Sequence, residues 1–189
     1  MANVTLMERP RGLIARLAWW YARRLFGHPV EPVRAAALHR GVTMGWGMVE
    51  MAAEKGWNRL DPHLAHLAAQ ASAGAIGCSW CIDFGHFEGM EIGVDPSKVR
   101  DVPRWRDSNV YDERERAVLE YAEGASATPA YVPEALVERL HRVFSEEEMV
   151  ELAAWVALEN LRSRFNAGLG LRSESFSDRC EIRPLAARS

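Results

Sequence analysis

The chain has 189 residues and a mass of 21.2 kDa, with 23 Lys+Arg against 26 Asp+Glu and a formal net charge of -3. At 48% hydrophobic and 26% charged residues it can bury roughly 70% of its unfolded surface without a disulfide framework. That balance argues against a dedicated nucleic-acid partner; no apolar run approaches the ~20 residues of a membrane span, and the start, MANVTLMERPRG, lacks a secretory signal's apolar core.

The expected compartment is therefore the cytoplasm, where structural disulfides are rare. Helical spacing dominates from the first segment onward. Residues 11–26 place Leu13, Ile14, Leu17, Trp20, Tyr21 and Leu25 on one stripe, closed by Gly27 and Pro29. One long helix is expected from about Glu31 or Pro32 to Lys55, weakened by Gly41, Gly45 and Gly47. Asp61 and Pro62 open a third helix that should stop near Gly77. Another begins at Cys78 or Ser79 and runs towards Gly93. Asp112 and Pro133 each open a further helix. Ser145 and Glu148 form a capping box for a long last helix ending at Gly168 or Gly170. No strand run, low-complexity tract or tandem repeat stands out.

The expectation is a single all-α domain, a helical bundle spanning 1–189. Its core covers about 30–172, an amphipathic helix lies within 1–29, and 173–189 form a polar tail.

The chemistry is concentrated in GAIGCSWCIDFGHFEG, residues 74–89. Cys78 and Cys81 stand three apart on one helical face. At a helix start, free N–H groups and the helix dipole favour the thiolate, which is the nucleophilic form. Three uses of such a pair compete. A structural zinc site needs four protein ligands, and here one C-x-x-C has only scattered histidines around it. Two buried cysteines could simply be small core residues. A dithiol redox site fits the spacing, although no strand precedes it as in a thioredoxin fold. Cys180 has no partner in sequence and reads as a free thiol.

The helical setting, the GCSWC motif and the later stretch ENLRSRFNAGLG (159–170) resemble the alkylhydroperoxidase D-like, or carboxymuconolactone decarboxylase, superfamily over roughly residues 30–172. The resemblance implies an all-α homo-oligomer that reduces hydroperoxides with a redox-active C-x-x-C. Its decarboxylase members lack the cysteine pair. The implied partners are a hydroperoxide substrate and an external dithiol reductant, with no cofactor, metal, nucleic acid or integral membrane segment. In the prototype the second cysteine attacks the peroxide and the first resolves it, so Cys81 is the expected nucleophile and Cys78 the resolving thiol. Helix electrostatics alone favours Cys78. The family signature runs Glu, eleven residues, C-x-x-C, three residues, His. Here the Glu position is His66 and the His position is Gly85, with His86 one residue later. His66 and His86 are the candidate replacements for the proton relay.

Other polar groups read as structure. Asp83 should point away from the thiols as a solvated or interface carboxylate, and Trp80 should pack. Glu159, Asn160, Arg162, Arg164 and Asn166 crowd the last helix beside an apolar stripe of Leu158, Leu161, Phe165 and Leu169. Most of them read as paired or interface residues, with Asn166 the one to test for a pocket role. Two further readings remain open: a non-enzymatic redox-sensing or interaction protein, and a decarboxylase-like small-molecule enzyme with structural cysteines.

Overall fold

The structure is a computed structural model and describes residues 2–180, Ile182 and Pro184. The remainder of the expected tail, with Met1, lies outside the described residues. The fold is all-helical, with no strand among the described residues. Among the described residues nine α-helices follow in order: α1 (Gly12–Phe26), α2 (Glu31–Ala36), α3 (Arg40–Gly56), α4 (Pro62–Ile76), α5 (Ser79–Glu91), α6 (Pro96–Asp101), α7 (Glu113–Ser126), α8 (Glu134–Val143) and α9 (Glu146–Gly168). Short 3-10 turns lie at Val102–Asp107 and Phe176–Arg179. The chain divides into two compact units, one made of 1–57 with 168–172, the other of 58–167 with the tail from Ser173.

In the first unit, α1 and α3 pack together. Tyr21 donates to the Glu54 carboxylate at 2.9 Å, and the Asn3 backbone N–H donates to the Leu169 carbonyl at 2.7 Å. The single helix expected over 31–55 is two. The N–H groups of Leu38 and His39 reach back three residues, to the carbonyls of Ala35 and Ala36. Extended His39 then caps α3 by accepting from the Val42 N–H on its ring nitrogen at 3.2 Å. The stripe of α1 also differs from expectation. Ala15, Trp19 and Ala22 are the buried face, whereas Leu13, Leu17, Trp20, Tyr21 and Leu25 are exposed. Trp19, flanked by Ala15 and Ala22 at i−4 and i+3, is the one large side chain that α1 buries.

The second unit holds the main core. Leu64, Leu67, Ala68 and Ala71 of α4 meet Val118, Leu119 and Ala122 of α7, Leu140 of α8, and Leu152 and Val156 of α9. Truncating fully buried Leu67 to Ala would cost about 2–5 kcal/mol by loss of transfer energy and cavity formation. The boundaries around the cysteines follow local chemistry. The Asp61 carboxylate accepts from the His63 and Leu64 N–H groups and starts α4. Gly77 ends it in the left-handed region at φ 80°, where a side chain would be strained. Cys78 is extended, and α5 begins at the next residue.

Candidate functional site

Turning the chain at Gly77 makes Cys78 the N-cap of α5, and its Sγ accepts from the Cys81 backbone N–H at 3.2 Å. Both cysteines are thiols with no disulfide between them, and they are 1% and 5% exposed. One stripe of α9 faces them: Glu159, Ser163 and Asn166, at i, i+4 and i+7, all buried. The Asn166 amide donates to Cys81 Sγ at 3.3 Å, and Ser163 Oγ donates to Glu159 Oε1 at 2.5 Å. Asn166 Oδ1 is buried beside the thiols with no hydrogen-bond partner.

This environment splits the two thiols. Cys78 is pushed down to about 6. A hydrogen bond from the Cys81 side chain leads; burial opposes it; the Cys81 N–H, Ser163 and Asn166 add to it. The Cys81 thiol is raised by that same donation to Cys78, then by burial, then by the charge of Glu159. Both shifts favour the anion on Cys78 and the proton on Cys81. Glu159 is pushed up to about 7, chiefly by burial, while Arg162 and the hydrogen bonds of Ser163 and Cys81 pull it back.

Neither candidate histidine hydrogen-bonds to a thiol. Buried His66, on α4, sets Nδ1 3.6 Å from Glu88 Oε2. Glu88 is seven residues beyond Cys81, about 10 Å further along the axis of α5. Burial opposes ionisation of Glu88, but the contact with His66 holds its carboxyl below the usual range. His86 is 1% exposed and its Nε2 meets the Ile182 carbonyl at 2.7 Å. That contact belongs to a clasp on the face of α5 turned away from the thiols. Trp80 donates to Glu174 at 2.8 Å and stacks on Phe84. Asp83 accepts from the N–H groups of Phe176 and Ser177, each at 2.9 Å, and from Ser177 Oγ at 2.7 Å. Asp83 does point away from the cysteines, but it is a buried anchor and not a solvated carboxylate. Burial works against its charge, and these donors hold it below the ordinary value.

The polar crowd on α9 also resolves differently from expectation. Glu159 is buried against the cysteines, and Leu161 of the expected apolar stripe is 43% exposed. The sequence signal for this face was the polar spacing at 159, 163 and 166.

Residues 42–124 match the carboxymuconolactone decarboxylase family. The YnjA protein of Escherichia coli K12, itself uncharacterized, is 31% identical over 172 residues, covering 86% of this chain and 89% of its own. The chain belongs to the carboxymuconolactone decarboxylase family. Among solved structures, the debrominase Bmp8 superposes with a TM-score of 0.81 at 22% identity, over 92% of each chain. An alkylhydroperoxidase AhpD core protein from Ralstonia eutropha JMP134, described as peroxidase-related, gives 0.76 at 18%, over 92% of this chain and 95% of its own.

Seen as a member of this family, the chain has filled the signature positions differently. A Cβ at Gly85 would lie 1.6 Å from Gln70 Nε2, and one at Gly89 would lie 2.6 Å from His66 Nε2. Gln70 occupies the space beside Gly85 and donates to the Cys81 carbonyl at 3.2 Å. Bare backbone at both positions lets the side chains of α4 lie directly across α5. The stripe on α9 lies beyond the segment 42–124.

Among the described residues no group of three or more His, Cys, Asp or Glu is placed to hold a metal ion. No helix among them is long and apolar enough to cross a membrane.

Proposed function

We propose that this protein is a thiol-dependent peroxidase that reduces small hydroperoxides with Cys78 and Cys81, and that it acts as a homo-oligomer. The observation that carries the reading is the geometry of the pair: a buried Cys78 at the N-cap of α5, accepting from the Cys81 N–H, beside a second buried thiol one turn away. A thiolate is the form that attacks peroxide, and the neighbouring thiol supplies the second electron pair.

The Cys78 thiolate attacks the terminal peroxide oxygen. An S–O bond forms, the O–O bond breaks, and the departing alkoxide takes a proton to leave as an alcohol. Cys81 sulfur then attacks the Cys78 sulfenic acid. The S–S bond forms, the S–O bond breaks, and hydroxide leaves with a proton as water. An external dithiol returns the disulfide to two thiols by exchange. This order reverses the one implied by the resemblance, because donation to Cys78, burial and the charge of Glu159 all disfavour an anion on Cys81. Asn166 Oδ1 is positioned to accept from the peroxide O–H while its amide nitrogen holds Cys81.

The test is peroxide consumption with a panel of dithiol reductants, using hydrogen peroxide, small alkyl hydroperoxides and a brominated pyrrole as alternative electrophiles. Turnover of a hydroperoxide that is lost in both Cys78→Ser and Cys81→Ser supports the proposal. Turnover of the bromopyrrole alone replaces it with reductive dehalogenation by the same dithiol, the activity in the name of Bmp8. A chain inert to every electrophile, with its thiols intact, refutes it.

A further inference from the structure

Condensation of the two cysteines needs a base that the thiols do not provide. Cys81 must lose its proton to attack, and hydroxide must gain one to leave. The resting thiolate of Cys78 is consumed in the first step and cannot serve. His66 reaches Glu88 through one ring nitrogen and His86 the Ile182 carbonyl, and neither ring hydrogen-bonds to a thiol.

We infer that Glu159 is the catalytic acid–base of the resolving step, taking the proton from Cys81 and returning it to the group leaving Cys78. This rests on the proposed roles of the two thiols. It lies one turn from Ser163 and two from Asn166 on the stripe of α9 whose Asn166 amide donates to Cys81 Sγ at 3.3 Å, it is itself 5% exposed, it accepts from Ser163 Oγ at 2.5 Å, and its charge acts on Cys81. The charged and titratable groups acting on it are Arg162 of its own helix, Nη1 at 3.6 Å, and both thiols from α5. Arg162 draws it towards the carboxylate, burial and the Cys78 anion towards the acid. A group balanced near 7 holds either form at neutral pH, which a step needing a base and then an acid requires. Once Cys78 is a sulfenic acid, its anion no longer opposes ionisation of Glu159, so the carboxylate is favoured at the moment a base is needed. The proton count closes: Glu159 ends as it began, the Cys81 thiol and the Cys78 sulfenic acid become one disulfide, and one water leaves.

The experiment isolates this step from peroxide chemistry. In a Cys180→Ser background, one equivalent of methyl methanethiosulfonate converts Cys78 to its methyl disulfide. Cys81 then attacks the Cys78 sulfur, the new S–S bond forms, and methanethiol leaves carrying the proton. Acid quenching and mass spectrometry follow the loss of methanethiol against pH. The parent protein should show a rate that rises with pH and levels above about 7. Glu159→Gln, which keeps shape and burial, should slow the step about 100-fold near neutral pH, with a rate that climbs with hydroxide and no levelling. A merely structural role would leave the profile's shape intact. Ser163→Ala, which removes a donor to the carboxylate, should move the levelling point to higher pH and gives the answer if Glu159→Gln does not fold. A rate within threefold of the parent, or a profile unchanged in both variants, overturns the inference. A methyl group mapped to Cys81 overturns it together with the order of the thiols. Failure of the peroxide assay alone leaves this readout standing.

Discussion

The anion on Cys78 can be read directly from thiolate absorbance in the far ultraviolet. Its pKa falls from 9.0 to about 6. Three pH units correspond to about 4 kcal/mol of preference for the charged form, at 1.36 kcal/mol each. The perturbation to make is Cys81→Ala, again with Cys180→Ser to clear the background. It leaves the backbone N–H that caps Cys78 but removes the thiol donor, the largest contributor. A hydrogen bond to a charged group contributes about 1.5–3 kcal/mol, so the midpoint should rise by about one to two pH units. The Cys180→Ser parent should show one thiolate appearing near pH 6, and Cys78→Ser should show none in that range. A low step that survives in Cys78→Ser but disappears in Cys81→Ala places the anion on Cys81 and refutes the electrostatic argument. A parent midpoint near the ordinary 8.5 refutes the N-cap stabilisation altogether.

The same groups make stability depend on pH in opposite senses. The raised Glu159 contributes stability that is present below its unfolded value of 4.5 and lost as pH rises through about 7. The lowered Cys78 contributes stability present above 9.0 and lost as pH falls through about 6. Urea denaturation should therefore find a minimum between pH 6 and 7, without its acid-side limb in Glu159→Gln and without its alkaline-side limb in Cys78→Ser. Asp83→Ala orphans one buried and one half-buried N–H donor and should lower unfolding free energy by about 2–4 kcal/mol, while Asp83→Asn, which keeps an acceptor, should recover part of it. The exposed face of α1, with Leu13, Leu17, Trp20, Tyr21 and Leu25, should be covered in a homo-oligomer. Light scattering should give a multiple of 21.2 kDa that Leu17→Glu with Trp20→Glu reduces to one copy.

The cysteine pair and the helices around it were legible because their signals are local. Asp61 with Pro62, and Gly77 before Cys78, mark an end and a beginning within a few residues. The break at Leu38 and His39 was hidden because nothing in that stretch forbids helix; a tertiary contact, Thr43 Oγ1 on the Ala36 carbonyl at 2.8 Å, helps to fix the turn. The face of α9 was misread for another reason. Polar residues on a long helix are usually wet, and only packing against α5 reveals Glu159, Ser163 and Asn166 as one buried stripe. His86 had a similar fate, since its partner is a carbonyl 96 residues away, outside the reach of any helical spacing rule.

The contact between Gln70 and Gly85 constrains how such a site can change by mutation. Gln70 fills the volume into which any side chain at position 85 would project. Installing the family's histidine there as a single substitution would drive it into a buried amide. Shortening Gln70 first would open a cavity and release the Cys81 carbonyl from its donor. A side chain at position 85 therefore requires the amide end of Gln70 to swing away from α5 and from the Cys81 carbonyl. Positions 70 and 85 are thus coupled through the backbone of Cys81: a change at either is felt at the carbonyl that Gln70 holds.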